Sequence, residues 1–204
     1  MGLRERKKLA TRRALERETM RLALDHGIDN VTVDDIAAAA DVSTRTFFNY
    51  FASKDDAVVG TGPPRPTPEA RDEFTGGGPT GDLVEDLKTY LASVTDGDHD
   101  DLRDIMAKVR MRERLLERDP RLVPRVMARF ASMEQEMSAD MAARLGVDAD
   151  DVAPQLVSAL ATTLMRFSVR RIETVDGDTS VDLRRLLDET FETLRATLTP
   201  PSRS

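Results

Sequence analysis

Residues 43–50, Ser-Thr-Arg-Thr-Phe-Phe-Asn-Tyr, set short hydroxyls, a guanidinium, a carboxamide and a phenol around two adjacent rings. That mixture suits the surface of duplex DNA. Arg45 can fork onto a guanine edge and threonine methyls can touch thymine, while Thr44, Tyr50, Lys54 and the amides at a helix start suit phosphates. Thr32, Ser43, Thr46 and Asn49 complete the candidate contact set, and the apolar half of the segment, Phe47 and Phe51, is expected to face inward. The plain alternative is a solvated surface helix with no partner.

Such residues work only if helices hold them at the right angle. Leu3 to His26 reads as one helix ended by Gly27, and Thr32, with Asp35 three residues on, reads as the cap of a second helix through Ala40. Asp41-Val42 interrupts, Ser43 caps a third helix containing Phe47, Phe48, Tyr50 and Phe51, and Ser53 caps a fourth with Ala57, Val58 and Val59. Two short helices a few residues apart are a helix-turn-helix in outline. The second of them presents its first turns to base edges.

Charge supports the same end of the chain. The 204 residues have a formal net charge of -7, yet residues 1–21 hold eight cations against three acids. A basic segment on an acidic body is expected where one end meets a polyanion. Hydrophobic residues at 40% with aromatics at only 4% favour helices over a strand-rich fold. With no Cys and only His26 and His99, cysteine nucleophiles, thiolate metal sites and a histidine dyad are excluded or unsupported. No catalytic set, metal site or cofactor motif is expected. The acidic turn around His99 reads as a solvated connector. MGLRERKK lacks an apolar signal core and no window could cross a bilayer, so the expectation is a cytoplasmic protein without a membrane partner.

Residues 60–81 collect Pro and Gly without periodicity and read as a flexible, mostly irregular linker; no Gly-Lys-Ser/Thr follows the Gly run, so it is not a phosphate loop. Helical spacing then continues through 83–94, 102 to about 119, 122–145, 152–175 and 181–198. The fold class is therefore all-α, an N-terminal three-helix helix-turn-helix domain over 1–59 and a C-terminal helical bundle over 82–204. Residues 152–175 are apolar on more than one side, which suits a two-fold interface of Leu160, Leu164 and Phe167 with Leu187, Phe191 and Leu194. A helix central to a monomeric bundle is the alternative. Tyr90, Met106, Arg110, Met127, Phe130 and Met165 are candidates to line a pliable ligand cavity, with ordinary core as the bland reading. Arg110, Arg112, Arg166, Arg170 and Arg171 could receive an anionic group or pair with surface acids.

The segment Gly27 to Lys54, GIDNVTVDDIAAAADVSTRTFFNYFASK, resembles the DNA-binding signature of the TetR family of transcriptional regulators. The likeness lies in the Gly closing the first helix, Thr-Val-x-x-Ile-Ala, Val-Ser, an aromatic run ending in Tyr-Phe, and Ser-Lys. It implies a ligand-responsive regulator, in most cases a repressor, that binds operator DNA as a homodimer and a small-molecule effector in its C-terminal domain. Arg45 stands where Gly is common, and Phe48 where many members have a phosphate-bonding Tyr. The Arg-Thr-Phe-Phe-Asn-Tyr-Phe form, with 110–120 and Arg129-Phe-Ala, is similar to the actinobacterial mycofactocin-regulator type, which implies an acyl-CoA-like effector. A helical adaptor without sequence-specific DNA binding is the competing function.

Overall fold

The computed structural model describes residues 2–60, 62, 65–95, 102–172 and 182–198. Every regular element among them is helical: α1 Leu3–His26, α2 Val33–Ala39, α3 Thr44–Phe48, α4 Lys54–Val59, α5 Pro68–Thr75, α6 Leu83–Ala92, α7 Leu102–Arg118, α8 Val123–Leu145, α9 Val152–Ile172 and α10 Leu183–Leu198. The acidic turn with His99, and residues 173–175 and 181 at the ends of two expected helices, lie outside the described residues.

Contacts divide the chain into two compact units, Met1–Pro63 with Asp104–Phe130, and Pro64–Arg103 with Ala131–Ser204. The division differs from the one expected at 59 and 82, because 104–130 packs with the N-terminal helices. In the first unit, Met20 and Ala23 of α1 and Val58 of α4 form one core with Leu115 of α7 and Leu122. Arg118 of α7 also donates to the carbonyl of Leu24. A second core joins Leu15, Val31, Ile36, Phe47, Phe51 and Ala57, which fixes α2 and α3 on α1. Gly27 ends α1 at φ 82°, a conformation that disfavours side chains, and its amide closes onto Ala23 O at 2.9 Å.

The second unit builds its core from Phe74, Leu87, Tyr90, Leu91, Val94, Met137, Met141, Ala161, Leu183 and Leu187. Here the linker expectation is corrected. Within 60–81, Thr67 caps α5 with Pro68 in its first turn, and Phe74 is buried, stacked on Tyr90 at 4.8 Å between ring centroids. Thr67-Pro68 is a local start signal for this helix, but the ring that stabilises it lies sixteen residues away in sequence. Asp86 is fully buried and accepts hydrogen bonds from the Thr80 amide and hydroxyl at 2.7 Å each, the Gly81 amide at 3.1 Å and Arg144 at 2.6 Å. Burial acts to raise its pKa, but these bonds and the Arg144 charge hold it below the ordinary carboxylate value.

Candidate nucleic-acid interface

The short helices of the first unit are set by side chains that close their own turns. Thr32 Oγ1 accepts the Asp35 amide at 3.1 Å, and the Asp35 carboxylate accepts the Thr32 amide at 2.9 Å, a complete capping box. The Thr32 hydroxyl and amide hold the Asp35 pKa down. Asp41 then takes φ 54°, a left-handed position that Asp tolerates better than most residues, and turns the chain into α3. Ser43 Oγ accepts the Thr46 amide at 3.1 Å and lies 2.8 Å from Thr46 Oγ1. Thr44 Oγ1 donates to Asp34 at 2.6 Å, which ties α3 to α2 directly. Caps of this kind are worth about 1 kcal/mol each.

Helix α3 is shorter than expected: it stops at Phe48 with Asn49 as its C-cap, so Tyr50 and Phe51 lie beyond it. Phe47 is fully buried and Phe51 nearly so, and these two rings anchor α3 as expected. Arg12 of α1 lies over the Phe51 ring at 5.0 Å, a cation–π contact that pins the same corner.

With that anchoring, the candidate contact residues sort into those that hold the turns and those that face outward. Thr32, Ser43, Thr44 and Thr46 spend hydroxyls on caps and on Asp34. Lys54 belongs with them, since its ammonium donates to Val31 O at 2.9 Å and Asp29 O at 3.4 Å, bracing the turn before α2. Arg45 and Asn49 are exposed, one helical turn apart, and their side chains make no hydrogen bond or ion pair among the described residues. Tyr50 packs its half-buried ring against the core and leaves its hydroxyl without a hydrogen bond among the described residues. Phe48 is outside the expected contact set. It is 55% exposed, edge-on to Phe47, and shares the outward face with Arg45 and Asn49. Its position three residues after Arg45 places it on that face. On α1, Arg4, Arg6, Lys7 and Lys8 are exposed as well, adding cations that a phosphate backbone can use.

The six residues expected to line a ligand cavity are not gathered in one unit. Met106, Arg110, Met127 and Phe130 belong to the first, where Met106 is buried, Arg110 exposed and Met127 48% exposed. Tyr90 and Met165 belong to the second and share its core, with Met165 at the border. Tyr90 donates to Asp140 at 2.7 Å, and Asp140 also accepts from Arg71 at 2.6 Å. Burial and this carboxylate push the phenol pKa up, so the hydroxyl stays protonated and committed. The ring and its hydroxyl are core structure.

The interface residues also separate. Leu160 and Phe167 are exposed on α9, whereas Leu164 is largely buried and Leu187 is fully buried in the second core, so of these four Leu160 and Phe167 present the open surface. Phe191 packs partly against that core, and Leu194 is half-buried. Val152 and Leu156, not expected, extend the exposed stripe at 78% and 64%, in step with Leu160 at four-residue spacing. No described helix is long and apolar enough to cross a membrane, and no metal-binding group of His, Cys, Asp or Glu occurs among the described residues.

Residues 17–58 match the model of the bacterial regulatory proteins of the tetR family, and residues 82–199, more than half the chain, match the MftR C-terminal domain. The transcriptional regulator TcmR of Streptomyces glaucescens is 33% identical over 210 residues, covering 98% of this chain and 87% of that protein. Among solved structures, the multidrug binding protein EbrR, complexed with imidazole, is 20% identical over 94% of this chain and 92% of that one, with a TM-score of 0.43. A TetR-family protein from Mesorhizobium loti is 14% identical over 93% of this chain and 97% of that one, with a TM-score of 0.46. With its helix-turn-helix segment, its MftR-type C-terminal domain and a full-length relative in TcmR, the chain belongs to the TetR family of transcriptional regulators, in its MftR-like branch.

Proposed function

We propose that this regulator is a homodimeric repressor that reads a near-palindromic operator through α3 and leaves it when an apolar or amphipathic effector, acyl-CoA-like in class, binds the C-terminal domain. The observation that carries the DNA-reading part is the outward face of α3, where Arg45, Phe48 and Asn49 stand exposed while Phe47 and Phe51 are locked in the core. Arg45 supplies a bidentate donor for guanine, Asn49 an amide, and Phe48 an apolar surface suited to a thymine methyl. Tyr50 and the exposed cations of α1 supply phosphate contacts.

One such helix reads few bases, so specificity calls for two. The stripe of Val152, Leu156, Leu160 and Phe167 is apolar and exposed within the protomer, and a second copy of the same stripe is its proposed occupant. Release by an effector requires that the effector bind the two DNA-affinity states differently. A hundredfold loss of operator affinity corresponds to about 2.7 kcal/mol of coupling, and operator must weaken effector binding by the same factor.

The test is a fluorescence-anisotropy titration with duplexes from the regulator's own upstream region at several salt concentrations. Tight, sequence-selective binding that weakens with salt supports the reading. Equal weak binding to all duplexes, or none, supports an adaptor role instead.

A further inference from the structure

Helix α1 is longer than the core it serves. It begins at Leu3, yet its first buried side chain among the described residues is Leu15. Leu3, Arg4, Arg6, Lys7, Lys8 and Ala10 are exposed and Leu9 is half-buried, so residues 3–10 make about two turns of helix without a buried face. Two turns alone are marginal in water, and the usual source of their stability, an apolar face packed on a neighbour, is missing here.

Two further features act against these turns. Gly2, which precedes them, gives no side-chain cap to the open amides. Residues 2–10 hold four cations and one acid, and cations at the amino end of a helix repel its positive dipole end as well as one another. The side chains of Arg4, Arg6, Lys7 and Lys8 form no hydrogen bond or ion pair with any described residue. A row of negative charge offsets both repulsions.

The cations are also placed. Arg4, Lys8 and Arg12 follow at four-residue spacing, along one side of α1. Arg12 marks which side that is, because its guanidinium lies 5.0 Å from the centre of the Phe51 ring, which shares a core with Phe47 of α3. Arg12 is committed to that ring and to Glu16, at 3.5 Å. Lys8 and Arg4 continue the row about 6 and 12 Å further along the axis. The row therefore runs on from the corner where α3 is anchored, and phosphates spaced about 3.4 Å apart along each strand axis offer it several partners.

We infer that residues 3–10 of α1, through Arg4 and Lys8, form a second DNA contact that grips the phosphate backbone beside the α3 site without reading sequence. The inference rests on the DNA-binding part of the function proposed above and adds a separate element to it. This element supplies affinity and salt dependence, while α3 supplies preference. Binding exchanges repulsion within the two turns for attraction to phosphates, so their helical form is more stable on a duplex than off it.

The test is an anisotropy titration of the full chain on the preferred duplex and on a scrambled duplex of equal length, at several salt concentrations. Arg4→Gln with Lys8→Gln should lower the slope of log K against log salt by about 1.8 for each bound protomer, at about 0.9 per phosphate contact. The same variant should weaken both duplexes by one factor, keep the parent's preference between them, and melt no lower than the parent. Arg185→Gln with Arg195→Gln on α10 makes the same change in net charge, at side chains 80% and 74% exposed, and should leave the slope unchanged. Amide hydrogen exchange over residues 6–10 of the parent should slow on either duplex. An unchanged slope for the α1 variant, an equal fall for both variants, a loss confined to the preferred duplex, or unslowed exchange each overturns the inference. Equal binding of the parent to both duplexes removes sequence reading by α3 but supports this contact if the α1 variant alone flattens the slope. No binding to either duplex overturns both.

Discussion

Helices α3 and α9 both present a face that nothing in their own unit covers, and the two faces ask for different partners. That of α3 is mixed, a guanidinium, a carboxamide and one ring, on a five-residue helix whose neighbours are occupied in holding it still. That of α9 is an apolar stripe of Val152, Leu156, Leu160 and Phe167, interrupted by Thr163, along a helix of 21 residues. Polar donors fixed by a rigid support discriminate among hydrogen-bonding surfaces, while an apolar stripe has no use except to be covered by another. The difference teaches that exposure alone does not define a site; what the exposed atoms can exchange with a partner does.

The sharpest way to break this comparison is to place a charge on each side of the C-terminal helices. Leu187→Asp buries a carboxylate in the second core and should cost more than about 4 kcal/mol, enough to remove a cooperative thermal transition followed by circular dichroism. Leu156→Asp on the open side of α9 should leave the helical signal and melting intact but convert a dimer to a monomer by light scattering. If Leu156→Asp unfolds the protein, the stripe is core and the proposed interface is misplaced.

Next in size is Phe74→Ala, expected to cost about 3–5 kcal/mol as measured by urea unfolding. A change within about 0.5 kcal/mol would mean that 60–81 acts as a plain linker after all. This residue also marks the limit of what the sequence discloses. The caps Thr32, Ser43 and Ser53 were legible because each bonds an amide three residues on, so the signal is local. Helix α5 has the same kind of cap at Thr67, but it lies among Pro and Gly without apolar periodicity and its burial depends on Tyr90, while the cation of Asp86, Arg144, is 58 residues away. Periodicity located α10 correctly but could not say which face Leu187 takes, since a helix between core and surface offers apolar residues to both. At the candidate interface, residue types announced DNA chemistry, yet only the structure separates Arg45, Phe48 and Asn49, which face outward, from Thr44 and Lys54, which hold the turns.

Two smaller effects sharpen that separation. Arg45→Ala should weaken the preferred duplex by about 1–3 kcal/mol and relax preference at one base pair, with stability unchanged in a melting experiment. An equal loss on every sequence would make Arg45 a phosphate contact. Lys54→Met should behave in the opposite way, lowering stability by about 1 kcal/mol through the loss of its bonds to Val31 and Asp29 carbonyls. Unchanged melting with a flattened salt dependence of DNA binding would return Lys54 to the backbone contacts.

The central claim is that two copies of α3, brought together by α9, read one DNA site. Selection of bound duplexes from a randomised pool by the full-length protein tests it most directly. The account predicts an enriched near-palindrome whose half-sites are separated by about one helical turn, 34–36 Å, or a multiple of it, and which Leu156→Asp fails to enrich. An enriched single half-site without symmetry, recovered equally by Leu156→Asp, would contradict it.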